Sequence, residues 1–238
     1  AVGGQNTENW TPTGITISNI VAPSTVPTIT FANINKSYGE ANFNLGATSN
    51  SAGAITYAIV PGGTGTATLS GTGNKTVTLG NAGTVTIRAT QAANGIYASG
   101  TKDITLTIGI KALTVTANSG LSKVYGATDP TLTYTITGFV NGDVEGDLDT
   151  PVSISRASGE NVANYVVTPA SAADTNYSVS FVTTTFGITQ ATLTVTADSG
   201  LSKVYGATDP TLTYTITGFV NGDVEGDLDT PVSISRAS

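Results

Sequence analysis

Residues 143–149 read Asp-Val-Glu-Gly-Asp-Leu-Asp, and residues 223–229 read the same. Asp143, Glu145, Asp147 and Asp149, with their counterparts Asp223, Glu225, Asp227 and Asp229, set a carboxylate at every second position around a central glycine. Calcium is a hard cation that takes about six to eight oxygen ligands, so these eight residues are the candidate metal ligands and calcium is the candidate cofactor. The spacing departs from an EF-hand loop, which also needs a bidentate glutamate at its twelfth position. The competing reading is a solvated turn, or one short helical turn, kept acidic for solubility.

Other chemistry is narrowed by what the chain lacks. It contains no His, Cys or Met, which removes imidazole and thiolate metal sites, disulfides, and the Ser-His-Asp and Cys-His arrangements. Paired carboxylates could still hydrolyse a glycoside. However, the chain has only five Glu, two of them copies of one another, and no aromatic cluster to line a sugar cleft. No catalytic residues are expected, and the protein is read as a non-enzyme. Nine basic residues against sixteen acidic ones give a net charge of −7, which argues against nucleic acid as a partner because such binding rests on cations neutralising phosphates. The acceptor sequons at Asn35, Asn74 and Asn176 are read as chance.

These candidates lie inside a repeat. Residues 113–158 recur as residues 193–238 with one change, Asn118 to Asp198. A period of 80 residues exceeds a supersecondary motif and predicts a tandem array of small domains. Within the first copy Leu113, Val115 and Ala117 alternate with threonines, as do Leu132, Tyr134 and Ile136. Further strands are expected around Ala163, Tyr165 and Val167, and around Tyr177, Val179 and Phe181. Alternation with period two turns one set of side chains inward and leaves β-branched Thr outward, the signature of half-buried strands. Tyr125-Gly126 and Asp129-Pro130 read as turn chemistry: Gly takes a positive φ, Pro pre-sets its own φ, and Tyr packs while its hydroxyl finds a partner.

Ahead of the repeat, residues 1–27 are polar and rich in Gly, Asn, Thr and Pro, and read as a leader with one edge strand at Ile15, Ile17 and Ile20. Its Trp10 is read as a buried plug or a tail residue. No basic start or apolar core marks a signal peptide, and without an initial Met the chain is expected to be a fragment or a mature segment. Residues 28–111 alternate around Ile55, Tyr57 and Ile59, around Val85, Ile87 and Ala89, and around Ile104, Leu106, Ile108 and Ile110, with glycine-rich turns between. About seven short strands are expected there, and no apolar run approaches the roughly 20 residues that span a bilayer. The fold class is therefore all-β: tandem small β-sandwich or β-sheet domains arranged end to end, because linkers of two or three residues cannot act as flexible coils. An alternative for the repeats is a β-grasp-like sheet with one short helix. Residues 112–190 form the first repeat and residues 191–238 the front part of a second, expected to leave sheet edges open.

Two resemblances add names to this reading. The run ITFANINKSYGEANFNLGATSNSAGAITYAI with AGTVTIRATQAANGIYA resembles the bacterial immunoglobulin-like domains of large surface proteins. LTVTAN, KVYGATDPTLTYTITGFVNGD, ENVANYVV, NYSVSF and FGIT resemble MBG repeats of the YGX type, found in giant secreted and surface-attached bacterial proteins. The resemblance implies a secreted or cell-surface stalk or spacer, of the kind adhesins use, including those of gliding and biofilm-forming bacteria. Its partners would be the neighbouring repeats, with a surface glycan or protein as a further partner and no membrane insertion in this segment. The alternative function is a binding module recognising glycan, protein or calcium.

Overall fold

The computed structural model describes residues 25–237. Trp10, Ile15, Ile17 and Ile20 of the expected leader, and Ser238, lie outside the described residues. Internal contacts divide the chain into two units, Ala1–Gly109 and Ile110–Ser238. Both are all-β, and among the described residues the only helical elements are three 3-10 turns of three residues each. The short helix of the β-grasp alternative is therefore absent from the described residues.

The described residues of the first unit form nine strands where the sequence suggested about seven: β1 (Ile29–Thr30), β2 (Ile34–Ser37), β3 (Phe43–Asn44), β4 (Thr48–Ser49), β5 (Ile55–Val60), β6 (Ala67–Ser70), β7 (Thr76–Leu79), β8 (Gly83–Gln91) and β9 (Gly100–Gly109). One sheet runs β2-β9-β8-β5 and a second runs β3-β7-β6, with β1 and β4 forming a small pair. The inward set of β8 and β9 is Val85, Ile87 and Ala89 with Ile104, Leu106 and Ile108, all buried together with Leu45 and Val77. Alternation predicted these residues because a pleated strand turns every second side chain to one face. It fails at Ile59 and Ile110, both exposed: Ile59 lies near the end of β5 and Ile110 lies between strands. Thr25, at the end of the expected leader, bridges Tyr97 and so belongs to this unit.

The second unit opens with β10 (Lys111–Ala117), followed by β11 (Ser122–Val124), β12 (Tyr134–Thr137), β13 (Ser153–Arg156), β14 (Asn164–Ala170), β15 (Tyr177–Val182) and β16 (Thr184–Thr189). They build two sheets, β12-β10-β15 and β11-β16-β14-β13. β10 sits in the middle of the first, antiparallel to β12 and parallel to β15. Leu113, Val115 and Ala117 thereby become buried, as do Val167, Phe186 and Ile188 of the facing sheet. Leu121, Tyr125, Leu132, Ile154 and Tyr165 close over the cluster that Ala117 forms with the latter three. Burying each large apolar side chain contributes about 1.5–3 kcal/mol, so β10 and β16 carry much of the stability. Phe181, expected inward, is exposed.

The strands among the described residues of the second copy are β17 (Thr194–Ala197) and β18 (Tyr214–Thr217), paired in the register of β10 with β12. Residues 202–204 and 233–236, identical to β11 and β13, are not strands. Their ladder partners β16 and β14 have no counterpart among the described residues of this copy. An isolated strand leaves its N–H and C=O groups to water, so without a neighbouring ladder the same residues stay irregular.

Candidate functional site

The acidic segment folds as a 3-10 turn, Glu145–Asp147, and its carboxylates go to different partners. Asp143 Oδ2 accepts from the Tyr177 hydroxyl at 2.6 Å, while the Val140 N–H donates to that same hydroxyl at 3.0 Å. Glu145 accepts from the Tyr134 hydroxyl, and this bond raises the Tyr134 pKa, because phenolate would meet a carboxylate. Asp147 Oδ2 accepts from the Val144 N–H at 2.8 Å, and Asp149 Oδ2 from the Thr175 N–H at 2.9 Å. In the second copy Glu225 and Asp227 repeat these roles with Tyr214 and Val224. The sequence predicted eight ligands in two loops. Among the described residues no three acidic side chains come together in a group that could hold a metal ion. Alternate carboxylates converge when a loop curls around one point, as in an EF-hand; here each of the four is bonded to a different partner.

A denser charged site, which the spacing of residues did not reveal, is built by Lys123, Asp129, Arg156 and Glu160. β11 carries Lys123, the Asp129-Pro130 turn carries Asp129, and the end of β13 carries Arg156. Arg156 Nε lies 2.5 Å from Asp129 Oδ2, with Nη2 3.2 Å from Oδ1 of the same carboxylate and 2.5 Å from Glu160 Oε1. Its Nη1 donates to the carbonyls of Ala157 and Gly159 at 2.9 and 2.7 Å. Lys123 Nζ lies 2.7 Å from Asp129 Oδ1 and also pairs with Glu160. The two cationic side chains are only 5 % and 10 % exposed. The guanidinium also lies over the rings of Tyr165 and Phe186, 5.2 and 5.4 Å from their centroids, a favourable placement for a cation on a π face.

Hydrogen bonds from Arg156 and then Lys123 hold the Asp129 carboxyl at about 2, below its usual 3.8. Bonds from Lys123 and then Arg156 lower Glu160, and Asp129 and Glu160 in turn raise both cations. All donors of the planar fork are used within the fold, so the cluster is a clasp joining β11, the Asp-Pro turn and β13. In the second copy Asp209 keeps Lys203 and Arg236 as partners, but these cations are 36 % and 56 % exposed. Asp-Pro had been legible only as turn chemistry. The signal for the clasp is the one Lys and the one Arg of the repeated stretch, recurring in both copies with the Asp of the Asp-Pro pair, in a sequence with few charges.

The two copies meet within the second unit. Tyr125 lies beside Phe219, Val220 and Asp223, its hydroxyl 3.4 Å from Asp223 Oδ1. Gly126 is as close to Val220: a Cβ added to it would stand 2.5 Å from Cγ2 and 2.6 Å from Cβ of that side chain.

Among solved structures, Drosophila N-cadherin EC1-4 matches at 11% identity, covering 69% of this chain and 49% of that one, with a TM-score of 0.30. The four N-terminal Ig domains of Dscam1 isoform 4.44 match at 11% identity, 71% and 47% coverage and a TM-score of 0.33. The chain thus spans about half the length of these structures, and superposition at this level adds nothing to the all-β architecture described above. A search of curated proteins gives no match. The family described as MBG domain (YGX type) matches residues 113–187 and again residues 193–238, segments that hold β10 to the start of the last strand of the first repeat, the clasp, and both acidic turns. With more than half its length matched in two successive segments, the chain belongs to the MBG domain family of the YGX type.

Proposed function

We propose that this chain is a non-catalytic spacer, a segment of the stalk of a large secreted or surface-attached protein of adhesin type, with residues 28–111 as its immunoglobulin-like domain. One observation carries the reading: the residues most capable of chemistry in the repeated sequence are spent on its own scaffold. Asp143, Glu145, Asp147 and Asp149 each tie down a turn, and Lys123, Asp129, Arg156 and Glu160 satisfy one another. A copied scaffold lengthens a protein, whereas a copied active site adds no reach. The few charges, mostly acidic, favour solubility of like neighbours. Among the described residues no helix is long and apolar enough to cross a membrane.

Small-angle scattering tests this reading on the present chain and on chains extended after Ser238 by one and two further 80-residue periods. A spacer gains a constant increment of maximum dimension per period. Particles that grow only as compact spheres would overturn it.

A further inference from the structure

We propose that the Tyr-Gly turn of each repeat is a docking knob, and that the surface it fits is the Gly-Phe-Val-Asn-Gly-Asp turn of the next copy of the same repeat. The exposed Tyr205-Gly206 turn is accordingly an interaction surface whose partner is a further copy of this repeat.

The chain contains the same turn twice in two surroundings. Gly126 and Gly206 have φ of +84° and +85°, a region that side chains rarely adopt, so the backbone is the same in both. Gly126 is packed against Val220, with Cγ2 and Cβ at 2.5 and 2.6 Å from a would-be Cβ, while Gly206 has nothing within 4 Å. Tyr125 is half-buried, held from beneath by its own core and reaching Asp223 with its hydroxyl. Tyr205, in an identical sequence, is fully exposed. The neighbouring copy accounts for the packing of Gly126, and it adds the Asp223 contact to a Tyr125 ring that also rests on Val167, Phe186 and Ile188 of its own repeat, residues with no counterpart in the described second copy.

The receiving turn is preformed. Asn221 and Gly222 have φ of 56° and 85°, matching 59° and 86° at Asn141 and Gly142. The Asp223 N–H closes the turn on the Val220 carbonyl at 3.0 Å, as Asp143 does on Val140. Such a turn, with two consecutive left-handed residues, is stiff and presents Val220 at a fixed place. The knob also leaves room for the repeat's internal contact: Tyr177 uses Oδ2 of Asp143, whereas Tyr125 approaches Oδ1 of Asp223. One carboxylate can therefore accept from its own repeat's tyrosine and from the preceding repeat's tyrosine together.

The proposal rests on the spacer reading but fails separately from it, since a flexible string of repeats would still lengthen with each period while showing no fixed junction. The absence of Cys allows clean spin-labelling at Ser155→Cys and Thr217→Cys, one exposed position in each copy. Pulsed electron resonance on the full chain should give one narrow distance. Gly126→Val should lose it, Gly206→Val should keep it although the backbone strain is the same, and Val220→Lys, which leaves the first repeat's sequence intact, should lose it too. Hydrogen exchange of β10 and β16 checks that the first repeat stays folded. When residues 159–238 are appended after Ser238, a label pair across the new junction should also give one narrow distance, and Gly206→Val should now abolish it. A broad distance in the unmodified chain, no effect of Gly126→Val and Val220→Lys, or silence of Gly206→Val in the extended chain would each overturn the proposal.

Discussion

Val115 and Val195 hold the same position in two copies of one sequence, and Val115 has no exposed surface whereas Val195 is 48 % exposed. Both lie on a strand paired with the same partner in the same register. What separates them is the β15 edge and the covering sheet of β14 and β16, present in one copy and without counterpart in the described part of the other. Burial here is a property of distant strands.

Matched truncations should expose this difference. Leu113→Ala is expected to destabilise the first repeat by about 2–5 kcal/mol, the range for a buried Leu. Leu193→Ala, at a half-buried position, should cost well under half as much. Denaturant dependence of hydrogen exchange in peptides covering each copy reads the two separately.

The clasp sets an acid limit. The Asp129 carboxyl titrates near 2 in the folded repeat and near 3.8 when unfolded, so its stabilisation is complete above about pH 4 and is lost as pH falls from there toward 2. Glu160, also lowered, acts in the same sense. Lys123 is raised above its usual 10.5, so its contribution is present at neutral pH and is lost only as strongly alkaline pH passes its folded value. Thermal melts between pH 5 and pH 2 should show the fall, and Arg156→Met should flatten it while lowering the melting temperature at pH 7. Carbon-detected titration of Asp129 should move upward in that variant.

Asp147 caps its turn through the Val144 N–H, and Asp147→Ala should cost about 1 kcal/mol, as lost caps do. Because the four carboxylates have separate partners, millimolar calcium is expected to leave the melting temperature of the parent chain and of this variant unchanged. Calorimetry in calcium and in chelator makes the comparison; a rise in calcium that Asp147→Ala abolishes would point instead to a shared ion.

The single difference between the copies is itself informative. Asn118 Nδ2 donates to Thr133 Oγ1 at 3.0 Å and its Oδ1 accepts from Thr135 Oγ1 at 2.9 Å. Asp198 retains the acceptor, with Thr215 Oγ1 at 3.1 Å, but a carboxylate has no N–H to donate. Asn118→Asp is expected to destabilise the first repeat by about 1 kcal/mol, the usual net value of one hydrogen bond, measurable by urea unfolding.

The sequence by itself determined the all-β class, the 80-residue period, and the inward faces of strands such as β8, β9 and β10, because a pleated backbone converts alternation directly into sidedness. It also marked Gly126 as a turn residue. Only the tertiary structure decided that β10 pairs in parallel with β15, from Lys111↔Tyr177 to Thr116↔Val182, since side-chain alternation carries no information about which strand lies alongside. Only the tertiary structure brought Lys123, Asp129 and Arg156 together, from three elements whose distances along the chain reveal nothing about their convergence, and it sent the alternating carboxylates of the acidic turn to separate partners. The plainest case is the repeated stretch: residues 113–117 and 193–197 are the same five letters, but one set forms a sealed core strand and the other an open edge. Local sequence fixes which side of a strand is apolar, and the removal of that side from water depends on strands elsewhere in the chain.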